Sequence, residues 1–84
     1  MAEEELIGKI SHYFKNINVG IIELAAELSV GDIIHIKGPA TNFEQKIDSM
    51  QIDHEQVDTA GAGQGVGVKV IEKVREGDEV FKVA

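Results

Sequence analysis

The chain has 84 residues, which suffices for one small domain, and 43% of them are hydrophobic. It contains no cysteine, so disulfides, thiolate metal sites and cysteine nucleophiles are excluded. Its 15 acidic and 8 basic residues give a net charge of −7, which argues against a duplex-binding module with clustered Lys and Arg.

The N-terminal sequence MAEEELIGK is acidic, whereas a signal peptide begins with basic residues that are followed by an apolar region. No apolar run in the chain approaches the roughly 20 residues that a membrane span needs. We therefore expect a frayed acidic N-terminus over residues 1–5, a single domain over residues 6–84, a cytoplasmic location and no membrane partner.

Segments rich in apolar and β-branched residues, separated by Gly, Pro and Asp, indicate β-structure along the whole chain. They predict strands near Leu6–Phe14, Val19–Leu24, Asp32–Lys37, Phe43–Glu55, Gly65–Glu72 and Glu79–Val83. The segment Ile17–Leu28 also fits one face of a helix, but Gly20 and the β-branched residues around it favour a strand over Val19–Leu24.

The fourth predicted strand changes phase, because Phe43 and Ile47 share one parity while Met50 and Ile52 share the other. An extra residue near Asp48–Ser49, as in a β-bulge, would reconcile the two halves. Six short strands without a covering helix need closure to hide their edges. The pattern therefore predicts an all-β fold, a small closed antiparallel β-barrel of six strands.

In the stretch AGAGQGVGVKV (Ala60–Val70) every second residue from Gly61 to Gly67 is glycine, and glycine-rich loops can bind phosphate. A dinucleotide fingerprint needs G-x-G-x-x-G before a helix, but Val66 stands where the third glycine would fall and a strand follows. We interpret the stretch as a turn, in which one of the first three glycines has positive φ, and then a strand. In that strand Gly67 lets a neighbouring segment approach closely.

No constellation of residues predicts catalysis, a cofactor or a metal site. The histidines, His12, His35 and His54, lack the closely spaced second ligand that zinc sites usually have. The acidic residues of Glu72–Glu79 lie at a predicted turn with basic residues between them, which indicates a solvated hairpin end rather than an acid–base pair. We therefore predict that the protein is not an enzyme.

Taken in order, four segments carry a family resemblance: GKISHYF, LSVGDIIHIKG (Leu28–Gly38), KIDSMQIDHEQVDTAGAGQGVGVKV (Lys46–Val70) and VREGDEVFKV (Val74–Val83). The chain resembles the second, β-barrel domain of elongation factor Tu and related translational GTPases, and more closely small stand-alone elongation factor-like proteins. This resemblance implies a Greek-key barrel of the translation-factor domain 2 type. The GTPase domain and its G-x-x-x-x-G-K-[ST] loop are missing, so no nucleotide triphosphate is expected to bind. A similar barrel also forms the C-terminal domain of some collagenase-type peptidases.

The translation-factor resemblance implies a non-catalytic binding module that docks on RNA or on a translation or RNA-modification protein. Tyr13 with Lys9 and Lys15 is the best local candidate for that contact, since bases stack on aromatics beside basic residues. In the competing interpretation Tyr13 lies at the rim, and Phe14 and the other phenylalanines form the core. The alternative function is a protein-interaction subunit, a detached equivalent of the C-terminal barrel of collagenase-type peptidases. Exposed apolar residues of Asn16–Leu28 would then form the contact.

Overall fold

Strands form all the regular structure in residues 4–83, the part of the chain that the computed structural model describes. The strands are β1 (Glu4–Phe14), β2 (Val19–Leu24), β3 (Leu28–Ser29), β4 (Ile33–Gly38), β5 (Thr41–Lys46), β6 (Met50–Ile52), β7 (Glu55–Val57), β8 (Thr59–Ala60), β9 (Gly65–Lys69) and β10 (Glu79–Val83). The strand predicted over Val19–Leu24 is thus confirmed, and the helical alternative is wrong. Among these residues there is no helix long and apolar enough to cross a bilayer.

The N-terminal segment of the described chain is paired from its first residue onward. Glu4 lies opposite Val83, and Glu5 lies opposite Lys82, so the first residues of β1 pair with the last residues of β10. The rest of the expected frayed start, residues 1–3, lies outside the described residues.

Eight strands form one antiparallel sheet in the order β5-β4-β10-β1-β2-β9-β6-β7, and β3 pairs with β8 separately. The all-β prediction is confirmed, but the prediction of a closed six-stranded barrel is wrong, because the ladder is open between β5 and β7. The predicted strand Phe43–Glu55 is divided by a break over residues 47–49 and by a tight turn at Asp53–His54. The second half therefore becomes the hairpin of β6 and β7.

The buried side chain of Gln45, at the open edge of the sheet, connects β5 to the end of β9. The Nε2 of Gln45 donates to the carbonyl oxygen of Lys69 at 2.9 Å, and the backbone N–H of Ile71 donates to its Oε1 at 3.0 Å. The amide thus satisfies one acceptor and one donor that a continuing strand would otherwise pair. Side-chain hydrogen bonds replace a backbone ladder at this point.

The core lies between the inward faces of the curved sheet, and it contains aliphatic side chains almost exclusively. Alternation along the strands produces it, as in β9, where Val66 and Val68 are buried and the residues beside them are not. The buried hydrophobic residues are Ile7, Ile10, Ile22, Leu24, Leu28, Ile34, Ile36, Phe43, Ile47, Met50, Ala60, Val66, Val68, Val70, Val74 and Val80.

Two irregularities in β1 reverse which of its side chains face the core. The register shifts between Leu6 and Gly8 against β10, and between Ile10 and His12 against β2. A β-bulge adds one residue to one strand, so the inward parity changes at each shift. The expectation that Phe14 belongs to the core is consequently wrong, because this side chain is 50% exposed.

The glycine stretch forms a turn followed by a strand, as the sequence predicts. Gly63 has a φ of 87°, and the turn is closed by the N–H of Gly61, which donates to Oε1 of Gln64 at 2.7 Å. Gly65 and Gly67 lie in β9 and point away from the buried valines. No phosphate-binding helix follows, and the two glycines instead form part of the outer surface.

Candidate interaction surface

An apolar groove runs over the outer face of β9. Its floor is formed by Gly65 and Gly67, which place no side chain above the strand. In register, Gly67 lies opposite Ile21 of β2 on one side and opposite Gln51 of β6 on the other. The groove has a volume of about 390 Å³.

Aliphatic and aromatic side chains form one wall of the groove. Val19 and Ile21 lean towards the strand, so that a Cβ on Gly67 would lie 3.4 Å from each of their side chains. Phe14 and Ile17, at the end of the β1–β2 hairpin, are 50% and 60% exposed and extend this wall. Exposed apolar side chains grouped in this way are typical of surfaces that contact another protein.

The opposite rim of the groove is polar and is formed by the β6–β7 turn. Asp53 and His54 have φ values of 51° and 67°, as a two-residue hairpin turn of type I′ requires. Asn-Gly is the usual sequence for such a turn, although Asp and His tolerate the left-handed region better than most residues. Both residues line the groove, so the turn supplies its only ionisable lining side chains among the described residues.

The structure does not present Lys9, Tyr13 and Lys15 as one basic and aromatic platform. Lys9 is exposed but lies between Glu23 and Glu79 on the neighbouring strands. Tyr13 packs against the core, while Lys15 is exposed in the turn after β1. A contact of these three residues with RNA or a partner stays a prediction.

The groove contains Ile17 from the segment Asn16–Leu28, as the alternative interpretation of the sequence predicts, and it also contains Phe14. The sequence contains a signal for the first irregularity in β1, between Leu6 and Gly8, but not for the second one, which exposes Phe14. Ile7 and Ile10 are both strongly apolar and three residues apart, which a regular strand cannot bury on one face. That spacing indicates an irregularity in β1.

A second cluster of polar side chains lies on β1, β4 and β5. The Nδ1 of His35 hydrogen-bonds with Oε2 of Glu4, and Lys37 Nζ is 2.8 Å from Oε1 of the same carboxylate. Lys37 and His35 lower the pKa of Glu4 below its ordinary value of 4.5. Asn42 and Glu4, which both hydrogen-bond the ring, raise the pKa of His35 above its ordinary value of 6.5.

The fold and the groove together define a small all-β domain with an exposed apolar surface. Its fold is that of the C-terminal domain of a U32 peptidase from Geobacillus thermoleovorans, with a TM-score of 0.87 and 22% identity over 93% of this chain and 91% of that chain. The selenomethionine form of the same domain gives a TM-score of 0.86.

Sequence comparison finds relatives among proteases. The chain is 43% identical over 76 residues to an uncharacterized protease of Methanocaldococcus jannaschii, covering 89% of this chain and 19% of that protein. It is 33% identical over 82 residues to a collagenase of Porphyromonas gingivalis, covering 95% of this chain and 23% of that protein. The chain therefore spans about a fifth of the length of these curated relatives. No protein-family model matches it.

These relatives show that the resemblance to elongation factor Tu and to elongation factor-like proteins is wrong. The similar proteins are named protease and collagenase, and the matching fold belongs to a peptidase domain. The motifs that suggested a translation factor, such as the VGD turn and the glycine-rich hairpin, meet general requirements of short antiparallel strands. Of the two interpretations, these similarities support the alternative, in which the chain is an equivalent of the C-terminal domain of collagenase-type peptidases.

Proposed function

We propose that the chain is a non-catalytic interaction domain that docks, through the groove over β9, on the catalytic part of a collagenase-type peptidase. The observation that carries the proposal is the apolar wall of Phe14, Ile17, Val19 and Ile21 at the surface of a domain with protease relatives. In those relatives about four-fifths of the polypeptide lies outside the matching segment. This additional polypeptide is the occupant to which the proposal commits.

The energetics of burial support this assignment. Covering an exposed aliphatic side chain stabilises an interface by roughly 1.5–3 kcal/mol when burial is complete. Ile17, at 60% exposure, has most of that contribution still available for binding. The glycine floor lets a partner side chain approach the backbone of β9, which a longer residue at 65 or 67 would prevent.

The non-catalytic part of the proposal rests on the arrangement of the ionisable side chains. Asp78 is the buried carboxylate among residues 4–83, and its Oδ2 accepts from the N–H of Arg75 at 2.9 Å, which closes a turn. A turn-closing carboxylate next to exposed strand ends does not converge with a base on a substrate cavity. The domain would therefore contribute binding, while the chemistry belongs to the remainder of the peptidase.

A binding measurement with the M. jannaschii protease tests the proposal. That protease is prepared without the segment that matches this chain and is immobilised, and the affinity of the separate chain is measured by biolayer interferometry. We expect saturable binding, and we expect Ile17→Glu to weaken it at least about tenfold, because a charge would be buried against the partner.

Ile71→Glu is the matched control, because Ile71 is 68% exposed and lies outside the groove. It should leave the affinity within about twofold of the unsubstituted chain. Absence of saturable binding would overturn the docking proposal. Equal loss of affinity in both variants would show that the groove is not the docking surface.

A further inference from the structure

The side chains of Glu4, His35 and Glu44 converge from three different strands. One donor atom from each lies within 4.8 Å of the other two. Both carboxylates approach the same ring nitrogen of His35: Oε2 of Glu4 hydrogen-bonds with Nδ1, and Oε2 of Glu44 is 3.8 Å from it. Glu4 and His35 are 31 residues apart in the chain, and His35 and Glu44 lie on different strands. A search for closely spaced ligands in the sequence therefore does not find them.

The two inner members of this cluster are oriented by further partners. The Nε2 of His35 hydrogen-bonds with Oδ1 of Asn42, which fixes the ring with Nδ1 towards the carboxylates. Oε1 of Glu4 accepts from Lys37 Nζ, which leaves Oε2 for the histidine side. Metal-binding histidines and carboxylates are generally held in this way, with the atom that does not bind the metal hydrogen-bonded elsewhere.

We propose that Nδ1 of His35 and the carboxylates of Glu4 and Glu44 bind a divalent transition-metal ion such as Zn²⁺. One imidazole nitrogen and two carboxylate oxygens form a three-residue donor set that zinc accepts, with water completing a tetrahedral site. The metal would occupy the position at which a proton on Nδ1 otherwise joins the ring to Glu4. Binding therefore releases any proton held there.

Two features determine how tightly this site binds. Donors around a tetrahedral zinc lie roughly 3.3 Å apart at bond lengths of about 2.0–2.1 Å, so Glu44 must rotate inward, which its 54% exposed side chain allows. Lys37 competes for Glu4 and adds a nearby positive charge. We therefore expect that Lys37→Gln increases the affinity for Zn²⁺, whereas removal of any of the three ligands decreases it.

Calorimetric titration of the chain with Zn²⁺ at about pH 7.5, where carboxylates are ionised, tests the site. Binding of one ion should be weakened at least about tenfold by Glu44→Gln, which removes an exposed ligand without disturbing the core, and similarly by His35→Ala. Asn42→Ala should weaken it about tenfold, because the ring loses its orienting partner. In a histidine-detected NMR spectrum, Zn²⁺ should shift Nδ1 of His35.

The pair of His12 and Glu76, whose Nδ1 and Oε1 are 3.5 Å apart, provides the control because it has a single carboxylate. His12→Ala should leave the affinity unchanged. The proposal is overturned if Zn²⁺ does not bind, or if His35→Ala and Glu44→Gln both bind it as the unsubstituted chain does. Loss of binding in His12→Ala alone would equally overturn it, by placing the ion at that pair.

Discussion

The carboxylate of Asp78 occupies the space in which a side chain on Gly38 would lie. A Cβ at Gly38 would be 2.6 Å from Cγ of Asp78 and closer still to Oδ1. Asp78 is 2% exposed and its Oδ2 closes the turn at Arg75, so it has no free volume into which to move. The end of β4 and the turn before β10 are thus fitted to each other by the absence of one methyl group.

Gly38→Ala should therefore destabilise the protein by about 1–3 kcal/mol, the usual cost of overpacking a close-packed site. Chemical denaturation measures the change. Gly61→Ala is the control, since a Cβ there meets only Oε1 of Gln64 at 3.8 Å and its φ is not positive. In an Asp78→Ala background the cost of Gly38→Ala should shrink. An undiminished cost there would contradict the contact.

Thr41, at the start of β5, offers the opposite kind of change. Its side chain is buried, and among residues 4–83 its Oγ1 has no hydrogen-bond partner. A buried hydroxyl without a partner loses its hydration without compensation. Thr41→Val, which replaces the hydroxyl with a methyl group of similar size, should stabilise the protein by about 1 kcal/mol. A decrease in the melting temperature would show that the hydroxyl has a partner after all.

The interior of the sheet follows from local sequence patterns, and the outer surface does not. Val66, Val68 and Val70 are buried as simple alternation predicts, because successive side chains of a strand point to opposite faces. The expectation that Phe14 is in the core is wrong because the direction of its side chain depends on the register shift between Ile10 and His12 in the pairing of β1 with β2. The residues beside Phe14 do not by themselves show where in the β1–β2 hairpin that register shift falls.

The candidate sites show the same division. The apolar segment around Ile17 could be suspected from the sequence, since it is apolar and belongs to no regular pattern. The approach of Glu4 to His35 could not, because β10 lies between their strands and its position in the sheet sets the distance. Strand order is a property of the whole fold. The prediction of a closed barrel is wrong for the same reason, since no local pattern shows that the side chain of Gln45 connects β5 to β9.

Gln45→Leu should destabilise the protein by about 1–3 kcal/mol. The substitution keeps an apolar stem of similar size but leaves the carbonyl of Lys69 and the N–H of Ile71 without their partner. Gln56→Leu, at an exposed position of β7, is the control and should change stability by less than about 0.5 kcal/mol. Equal effects of the two variants in urea denaturation would show that the amide bridge contributes nothing.

The contact between Glu4 and His35 predicts a pH-dependent contribution to stability. The raised pKa of His35 contributes stability that is fully present below its ordinary value of 6.5 and is lost as pH rises through the folded-state pKa. The lowered pKa of Glu4 contributes stability that is present above 4.5 and is lost as pH falls. The combined contribution is therefore largest between these two values.

His35→Gln should accordingly reduce stability more at about pH 5.5 than at about pH 8.5, when denaturation is followed in the presence of a metal chelator. Glu4→Gln should lose the same pH-dependent part, because it removes the carboxylate that favours the charged ring. If the difference between His35→Gln and the unsubstituted chain does not depend on pH, the two residues are not coupled.

Substitutions of Gly67 distinguish effects on the stability of β9 from effects on the shape of the groove. A Cβ at Gly67 would make ordinary contacts of 3.4 Å with Ile21 and Val19, and its φ is not positive, so Gly67→Ala should fold normally. Because alanine also restricts the unfolded chain, we expect a change between zero and about 1 kcal/mol of stabilisation. Gly67→Val adds two methyl groups that must displace Ile21 or Val19, and should destabilise by about 1–2 kcal/mol.

Both variants raise the floor of the groove, so both should weaken docking on the peptidase even though only the valine lowers the melting temperature. If Gly67→Ala retains full affinity, partners do not approach the backbone of β9.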